Sequence, residues 1–124
     1  MVDLEGPGWR LVKDLSRKSF PFLIGGNGWA IELSEQEYSS LARFLIDLVE
    51  EHKQLANQLL PEETICLEKE RTPWWGCLAG DKEQWSLQLI LKDETQLVRN
   101  AEVFWPIPEA QSFALAIKKM WESY

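Results

Sequence analysis

The sequence predicts an α+β domain in which a curved antiparallel sheet of about seven strands carries two helices on one side. Apolar and polar residues alternate in several short segments, the pattern of half-buried strands. Two longer segments place apolar residues three and four positions apart, the spacing of one helix face. No linker or low-complexity stretch interrupts the 124 residues, so we expect a single domain over residues 1–124.

The first part of the chain predicts three strands. In segments 9–15, 20–24 and 29–33 large apolar residues recur at every second position for most of the segment, the period of a half-buried strand. Pro21 makes the second of these an edge strand or an imperfect one. The glycine-rich segment 25–28 is a tight-turn sequence, so the second and third strands are predicted to form a hairpin.

A long helix is predicted to follow. Ser34 and Glu37 form a capping box, which satisfies free amide groups at a helix start. An apolar seam then continues at alternating spacings of three and four for about six turns, up to Pro61. The seam consists of Tyr38, Leu41, Leu45, Leu48, His52, Leu55 and Leu59.

Four further strands and a second helix are predicted after Pro61. The strand segments are 65–70, 74–79, 85–91 and 101–105. The final helix begins near Pro108 and has an apolar face of Phe113, Ile117, Met120 and Tyr124.

The predicted order βββ-α-ββββ-α hints at an internal duplication of a sheet-plus-helix unit, with halves 1–60 and 61–124. The residue match between these halves is thin, because no gap-free alignment joins them.

Charge and hydropathy indicate where in the cell the protein is expected. Thirteen basic and twenty acidic residues give a net charge of −7, most of it in residues 34–63. The N-terminus lacks the basic start and apolar stretch of a secretory signal, and no apolar run is long enough to span a membrane. We therefore expect a cytoplasmic protein without membrane partners.

No catalytic residue, cofactor or metal site is predicted, and we expect no enzyme activity. His52 is the single histidine, and its place on the helix seam predicts a partly buried, a hydrogen-bonded or an exposed end-of-seam side chain rather than a catalytic base. Cys66 and Cys77 are predicted to be small buried apolar residues, although a disulfide between neighbouring strands is geometrically conceivable. They do not provide a zinc ligand set at the usual spacing.

The adjacent pair Trp74 and Trp75 gives the strongest surface signal. Successive side chains of a strand point to opposite faces, so the two rings cannot enter the same core. The second ring needs another partner. One possibility is a further packing surface, such as a loop or a homodimer contact. The other is that Trp74 or Trp75 forms an aromatic platform for a base, a peptide or a flat ligand, with Arg71 and Lys69 nearby.

The layout, with Gly8-Trp9-Arg10, Gly28-Trp29 and Pro73-Trp74-Trp75-Gly76, resembles a family of small uncharacterised cyanobacterial proteins. Their fold is similar to that of the single-stranded-DNA-binding transcriptional coactivators and the plant Whirly proteins. The resemblance implies four-stranded sheets, each followed by a helix, with two such units paired through their helices. It also implies binding of single-stranded nucleic acid.

Charge argues against that implied function. If the large apolar residues face inward, the outward positions include Arg10 but also Asp14, Glu32, Glu68, Glu70 and Glu102, a balance of −4. Phosphate binding needs clustered lysine or arginine. We therefore predict a non-catalytic protein-interaction domain of unknown biochemical role, and keep single-stranded nucleic-acid binding in transcription or DNA maintenance as the alternative.

Overall fold

The computed structural model describes residues 1–95 and 98–123, which form eight strands and two helices in the order ββββ-α-ββββ-α. The N-terminal sheet contains β1 (Val2–Gly6), β2 (Trp9–Lys13), β3 (Phe22–Gly26) and β4 (Trp29–Leu33). The C-terminal sheet contains β5 (Ile65–Arg71), β6 (Trp74–Gly80), β7 (Trp85–Asp93) and β8 (Arg99–Trp105). The helices are α1 (Glu35–Ala56) and α2 (Glu109–Glu122).

Each sheet is an antiparallel meander in which successive strands pair, and the two sheets are separate. The prediction of one sheet with about seven strands is therefore wrong in two respects. It missed β1, an edge strand of five residues whose only partly buried large side chain is Leu4. It also joined strands across α1, although β4 and β5 do not pair. The repeated order does suggest a duplicated four-strand-plus-helix unit.

Two predicted elements are shorter than expected. Strand β2 ends at Lys13, and Leu15 is exposed in the turn that follows. Asp14 organises that turn by accepting hydrogen bonds from the amide and hydroxyl of Ser16. Helix α1 ends at Ala56 rather than near Pro61. Leu55 is exposed because the apolar seam in the sequence is longer than the surface on which α1 packs.

The start of α1 confirms the predicted capping box. The Ser34 hydroxyl accepts the Glu37 amide at 3.1 Å, and the Glu37 carboxylate accepts the Ser34 amide at 2.8 Å. In α2, Phe113, Ile117 and Met120 are buried as predicted, whereas Tyr124 lies outside the described residues.

Each helix packs on the sheet of the opposite half. Helix α1 follows the N-terminal sheet but packs mainly on β5 and β6, whereas α2 follows the C-terminal sheet and packs on β1 and β2 as well as on β7. The approach of α1 is close enough to require Gly76, because a Cβ at that position would lie 2.9 Å from the Phe44 ring. The two helices also contact each other.

Consequently, buried side chains from both sheets and both helices form one cluster. The ring of Trp105 stacks on Phe113 at a centroid distance of 3.9 Å, and its indole N–H donates to the Gly25 carbonyl at 2.9 Å. The last strand is thereby bonded to β3 of the other sheet. The indole N–H has a partner in the core, which avoids the free-energy penalty of an unsatisfied buried donor.

A buried ion pair joins α1 to the C-terminal sheet. The Glu37 side chain is 1% exposed and accepts the Arg99 Nε–H at 2.9 Å. The Arg99 guanidinium also donates to the Glu32 carbonyl and lies 4.5 Å from the centroid of the Phe20 ring. Because the carboxylate is shielded from water, loss of the arginine would leave a buried charge without its cation.

We expect Arg99→Met to lower the free energy of unfolding by roughly 2–4 kcal/mol. Breaking a fully buried ion pair costs about 3–5 kcal/mol, and the expected loss is somewhat smaller because the Arg99 side chain is 29% exposed. Urea denaturation measures this change. The matched control is Arg17→Met, since Arg17 pairs with Glu32 at 2.8 Å but both side chains are well exposed. That control is expected to change stability by less than about 1 kcal/mol. Equal losses in the two variants would contradict the role assigned to Arg99.

Candidate functional site

The C-terminal sheet has an outer face that neither helix covers. Residues of β6 and β7 alternate between mostly buried inward positions and exposed or partly exposed outward ones, and β5 and β8 follow the same alternation with less burial. One outward row across the four strands is Glu70, Trp75, Ile90 and Glu102, and the next is Glu68, Cys77, Gln88 and Phe104. We call this surface the Trp75 face.

The two tryptophans separate as predicted. Trp74 is 1% exposed, and its indole N–H donates to the Glu37 carbonyl at 3.0 Å. Trp75 points outward, partly exposed, beside Ile90. Only Trp75 is therefore available to a ligand, and truncation of Trp74 would probe the core rather than a surface.

Lys69 and Arg71 do not join Trp75. They share the inward parity of Trp74, and both reach past the sheet edge to α1, where Lys69 pairs with Glu51 at 2.5 Å and Arg71 with Asp47 at 2.8 Å. Closeness in sequence suggested a shared platform, but strand parity places these cations on the other side of the sheet. The residue opposite Trp75 on β5 is an acid, Glu70.

The Trp75 face carries an apolar centre within an acidic rim. Phe104 is 50% exposed, and Trp75, Ile90 and Cys77 are partly exposed. The rim consists of Glu68, Glu70 and Glu102. The Gln88 amide donates to the Glu102 carboxylate at 2.5 Å, which holds that acid at the edge of the apolar centre.

A groove of about 830 Å³ opens beside Trp75, between the start of α1, the β5–β6 turn and the end of β7. Its walls carry both signs of charge, with Arg43 and Lys92 against several carboxylates. One of these is Asp93, whose pKa is lowered because the hydroxyl and amide of Thr95 donate to it. Asp93 is therefore an anion at neutral pH and unsuited to donate a proton.

The two cysteines lie on the Trp75 face rather than in the core. Cys66 is exposed and Cys77 partly exposed, so the prediction of two buried apolar residues is wrong. Their sulfur atoms are 2.7 Å apart, and the carboxylate of Glu68 lies within 4.8 Å of both. Burial, followed by the hydrogen bond and charge of Cys66, raises the pKa of the Cys77 thiol to about 12.

The spacing of Cys66 and Cys77 along the chain does not predict this trio, because the trio depends on the register between β5 and β6. A two-residue turn at Thr72-Pro73 pairs Arg71 with Trp74 and so places Glu68 directly opposite Cys77. Thr72-Pro73 marks the break between the two strands in the sequence, whereas the register across the break depends on the geometry of the turn.

The outer faces of both sheets are acidic. Their charged positions are Arg10 and Lys92 against Asp3, Glu5, Glu32, Glu68, Glu70 and Glu102, two basic against six acidic, a balance of −4. Asp14, which was expected on this surface, lies instead in the turn after β2. Neither face offers the cluster of cations that a phosphate backbone needs.

His52 is hydrogen-bonded, which was one of the environments predicted for it, and its side chain is buried more fully than predicted. The ring is 2% exposed, its Nε2 lies 3.2 Å from the Asp81 carbonyl, and the Trp85 ring is 6.0 Å away by centroids. Burial lowers the pKa of this histidine. Since the carbonyl can only accept, a neutral ring that donates from Nε2 fits the site.

The family model for DUF1818, a domain of unknown function, matches residues 4–120. The chain belongs to the DUF1818 family. Among solved structures, this DUF1818 chain is similar to a protein with unknown function from Prochlorococcus sp. NATL2A, described there as from the DUF155 family, with 42% sequence identity and a TM-score of 0.90. The match covers 98% of this chain and 99% of that one. A comparison with curated proteins gives no match.

The match to a cyanobacterial protein of unknown function confirms that part of the resemblance. The family description assigns no biochemical role to DUF1818. No helix within residues 1–95 and 98–123 is long and apolar enough to cross a membrane.

We expect the free energy of unfolding to fall as the pH drops below the ordinary histidine pKa of 6.5. Because the pKa of His52 is lower in the folded protein, the unfolded chain binds more protons in this range, so stability rises with pH and is lost on acidification. The slope contributed by one such group is at most about 1.4 kcal/mol per pH unit.

Thermal or urea unfolding across this range measures the slope, and His52→Gln is the comparison, because glutamine can donate to the Asp81 carbonyl but does not titrate. The carboxylates whose pKa is lowered from 3.8 lose their own contribution to stability progressively below about pH 5, so the slopes are compared above that pH. An unchanged slope in His52→Gln would rule out this assignment.

Proposed function

We propose that this DUF1818 chain is a non-catalytic protein-binding domain whose contact surface is the Trp75 face. The observation that carries the proposal is the combination of an exposed apolar centre and an acidic rim on a sheet face that no element of the described chain covers. Protein interfaces have this anatomy, with aromatic residues in a dry centre and polar groups around it. Trp75 is of the residue type that most often dominates binding energy.

The rim determines the kind of partner. Three carboxylates, Glu68, Glu70 and Glu102, border the apolar centre, and the whole chain has a net charge of −7. A partner with an aromatic or aliphatic residue flanked by lysine or arginine would bury the centre and neutralise the rim. A second copy of this chain would bring like charges together, so the rim disfavours a symmetric homodimer through this face.

The other side chains support a non-catalytic role. The buried carboxylate of Glu37 is bound by Arg99 and the Ser34 amide, and His52 faces a carbonyl rather than a nucleophile. The carboxylates of the groove are mixed with Arg43 and Lys92, and Asp93 is already hydrogen-bonded to Thr95. These groups stabilise the fold in arrangements that leave no matched acid and base.

Single-stranded nucleic-acid binding is the alternative. The order ββββ-α-ββββ-α and the contact between the helices are the features that the resemblance to the coactivators and Whirly proteins implies. An outward aromatic ring such as Trp75 can also stack on a base. The charge balance of −4 on the outer faces opposes this function, because backbone phosphates would be repelled.

A peptide library displayed on phage and selected on the full chain is expected to yield sequences that combine lysine or arginine with an aromatic or aliphatic residue. Trp75→Ser should weaken the Kd of a selected peptide by about tenfold or more, as for loss of an interface anchor. Glu70→Lys should slow association, and added salt should weaken binding to the wild type.

Leu115→Ser is the matched control, because Leu115 is an apolar residue of α2 that is 53% exposed and lies away from the Trp75 face. It should bind the selected peptides like the wild type. The proposal fails if the selected peptides lack basic residues or bind Trp75→Ser unchanged. If sedimentation shows a wild-type dimer and Trp75→Ser is a monomer, the partner of this face is a second copy of the chain and not a basic protein.

Fluorescence anisotropy with a labelled oligothymidine is expected to show no binding, even at low ionic strength where phosphate contacts are strongest. The positive comparison is Glu68→Lys/Glu70→Lys/Glu102→Lys, which makes the rim basic and should introduce salt-dependent binding. Binding of the wild type that declines with salt and disappears in Trp75→Ser would favour the nucleic-acid alternative over the protein-binding one.

A further inference from the structure

We infer that Cys66, Cys77 and Glu68 form a binding site for a thiophilic divalent cation of the zinc class, at the β5–β6 edge of the Trp75 face. One ligand atom from each residue, two sulfurs and a carboxylate oxygen, lies within 4.8 Å of the other two. This inference is independent of the protein-binding function proposed above.

The residue types suit such an ion. Zinc combines thiolate ligands with carboxylate oxygens and prefers a tetrahedral arrangement, and sites with three protein ligands keep the fourth position for water. Hard cations such as Mg²⁺ and Ca²⁺ prefer an all-oxygen set. Two sulfurs and one oxygen therefore select a thiophilic metal.

The backbone holds the three ligands on one side of the sheet. Cys66 and Glu68 are two residues apart on β5 and so share its outward parity, and Glu68 is the register partner of Cys77 on β6. The antiparallel pairing continues on both sides of this point, from Ile65 to Arg71. Ligands fixed by a ladder lose little backbone entropy on binding.

Side-chain adjustments complete the site. Ligand atoms on one tetrahedral zinc ion lie about 3.5–3.8 Å from each other, given metal–ligand bonds of about 2.0–2.3 Å. The two sulfurs, now 2.7 Å apart, must separate by about 1 Å, which rotation about χ1 of exposed Cys66 can supply.

Binding replaces the two thiol protons. The divalent ion forms bonds to both sulfurs, each S–H bond breaks, and two protons pass to the buffer. The Glu68 carboxylate contributes an oxygen lone pair, and no electron transfer takes place.

Cobalt(II) is the probe for this site, because sulfur-to-cobalt charge-transfer absorption in the near ultraviolet reports thiolate ligands directly. The full chain is first reduced, and mass spectrometry after alkylation verifies that both thiols are free. Titration with Co²⁺ is expected to produce the charge-transfer band at one equivalent, and Zn²⁺ should then remove it by displacement.

Cys66→Ser and Cys77→Ser should each abolish the band of the two-thiolate site, and Glu68→Gln should weaken Co²⁺ binding by about tenfold or more, the scale on which even outer-shell partners act. Glu70→Gln is the matched control, being the next outward acid on the same strand, and should bind like the wild type. Circular dichroism checks that each variant is folded.

Absence of a charge-transfer band in the reduced wild type, or an unchanged band in folded Cys77→Ser, would overturn the site. Equal weakening by Glu68→Gln and Glu70→Gln would remove Glu68 from the ligand set. None of these results bears on peptide binding, which is measured on Trp75→Ser with metal-free protein.

Discussion

Glu37 bonds the start of α1 to two strands of the C-terminal sheet, β6 and β8, a connection that strand pairing does not make. Its buried carboxylate accepts the amide of Ser34, the residue that caps α1, and binds Arg99 at the start of β8. The backbone carbonyl of the same residue accepts the indole N–H of Trp74. The start of α1 is therefore bonded both to the β5–β6 hairpin and to β8, which positions the helix on the C-terminal sheet instead of on the sheet that precedes it.

That placement determines which surfaces remain open. Because α1 lies on the C-terminal sheet and α2 reaches the N-terminal one, the inner face of each sheet is covered by the helix of the other half. Neither helix covers the outer faces, and the C-terminal one carries Trp75, Ile90 and Phe104 in outward positions. A core shared in this way accounts for most of the aromatic side chains without any ligand. Six of the seven tryptophans belong to the buried cluster or pack against it, and Trp75 does neither.

Features determined by neighbouring residues were predictable from the sequence. The capping box of Ser34 and Glu37 and the opposite orientations of Trp74 and Trp75 depend on local geometry, and both predictions are confirmed. Features determined by strand register or by contacts between the two halves of the chain were not predictable from the sequence. Arg99 gave no signal as the partner of Glu37, which is 62 residues away. Lys69 and Arg71 were expected near Trp75 because they are close to it in sequence, but the register across the β5–β6 turn gives both cations the parity of Trp74.

The proposed metal site lies at one edge of the proposed protein-binding surface, yet metal binding would leave the charge of that surface unchanged. A divalent ion that displaces two thiol protons adds two positive charges and creates two thiolates, so the net charge of the site does not change. The acidic rim would keep its long-range attraction for a basic partner, while β5 and β6 become cross-linked at their outward side. A metal would thus act on this surface through rigidity, which lowers the entropy lost on binding, rather than through charge.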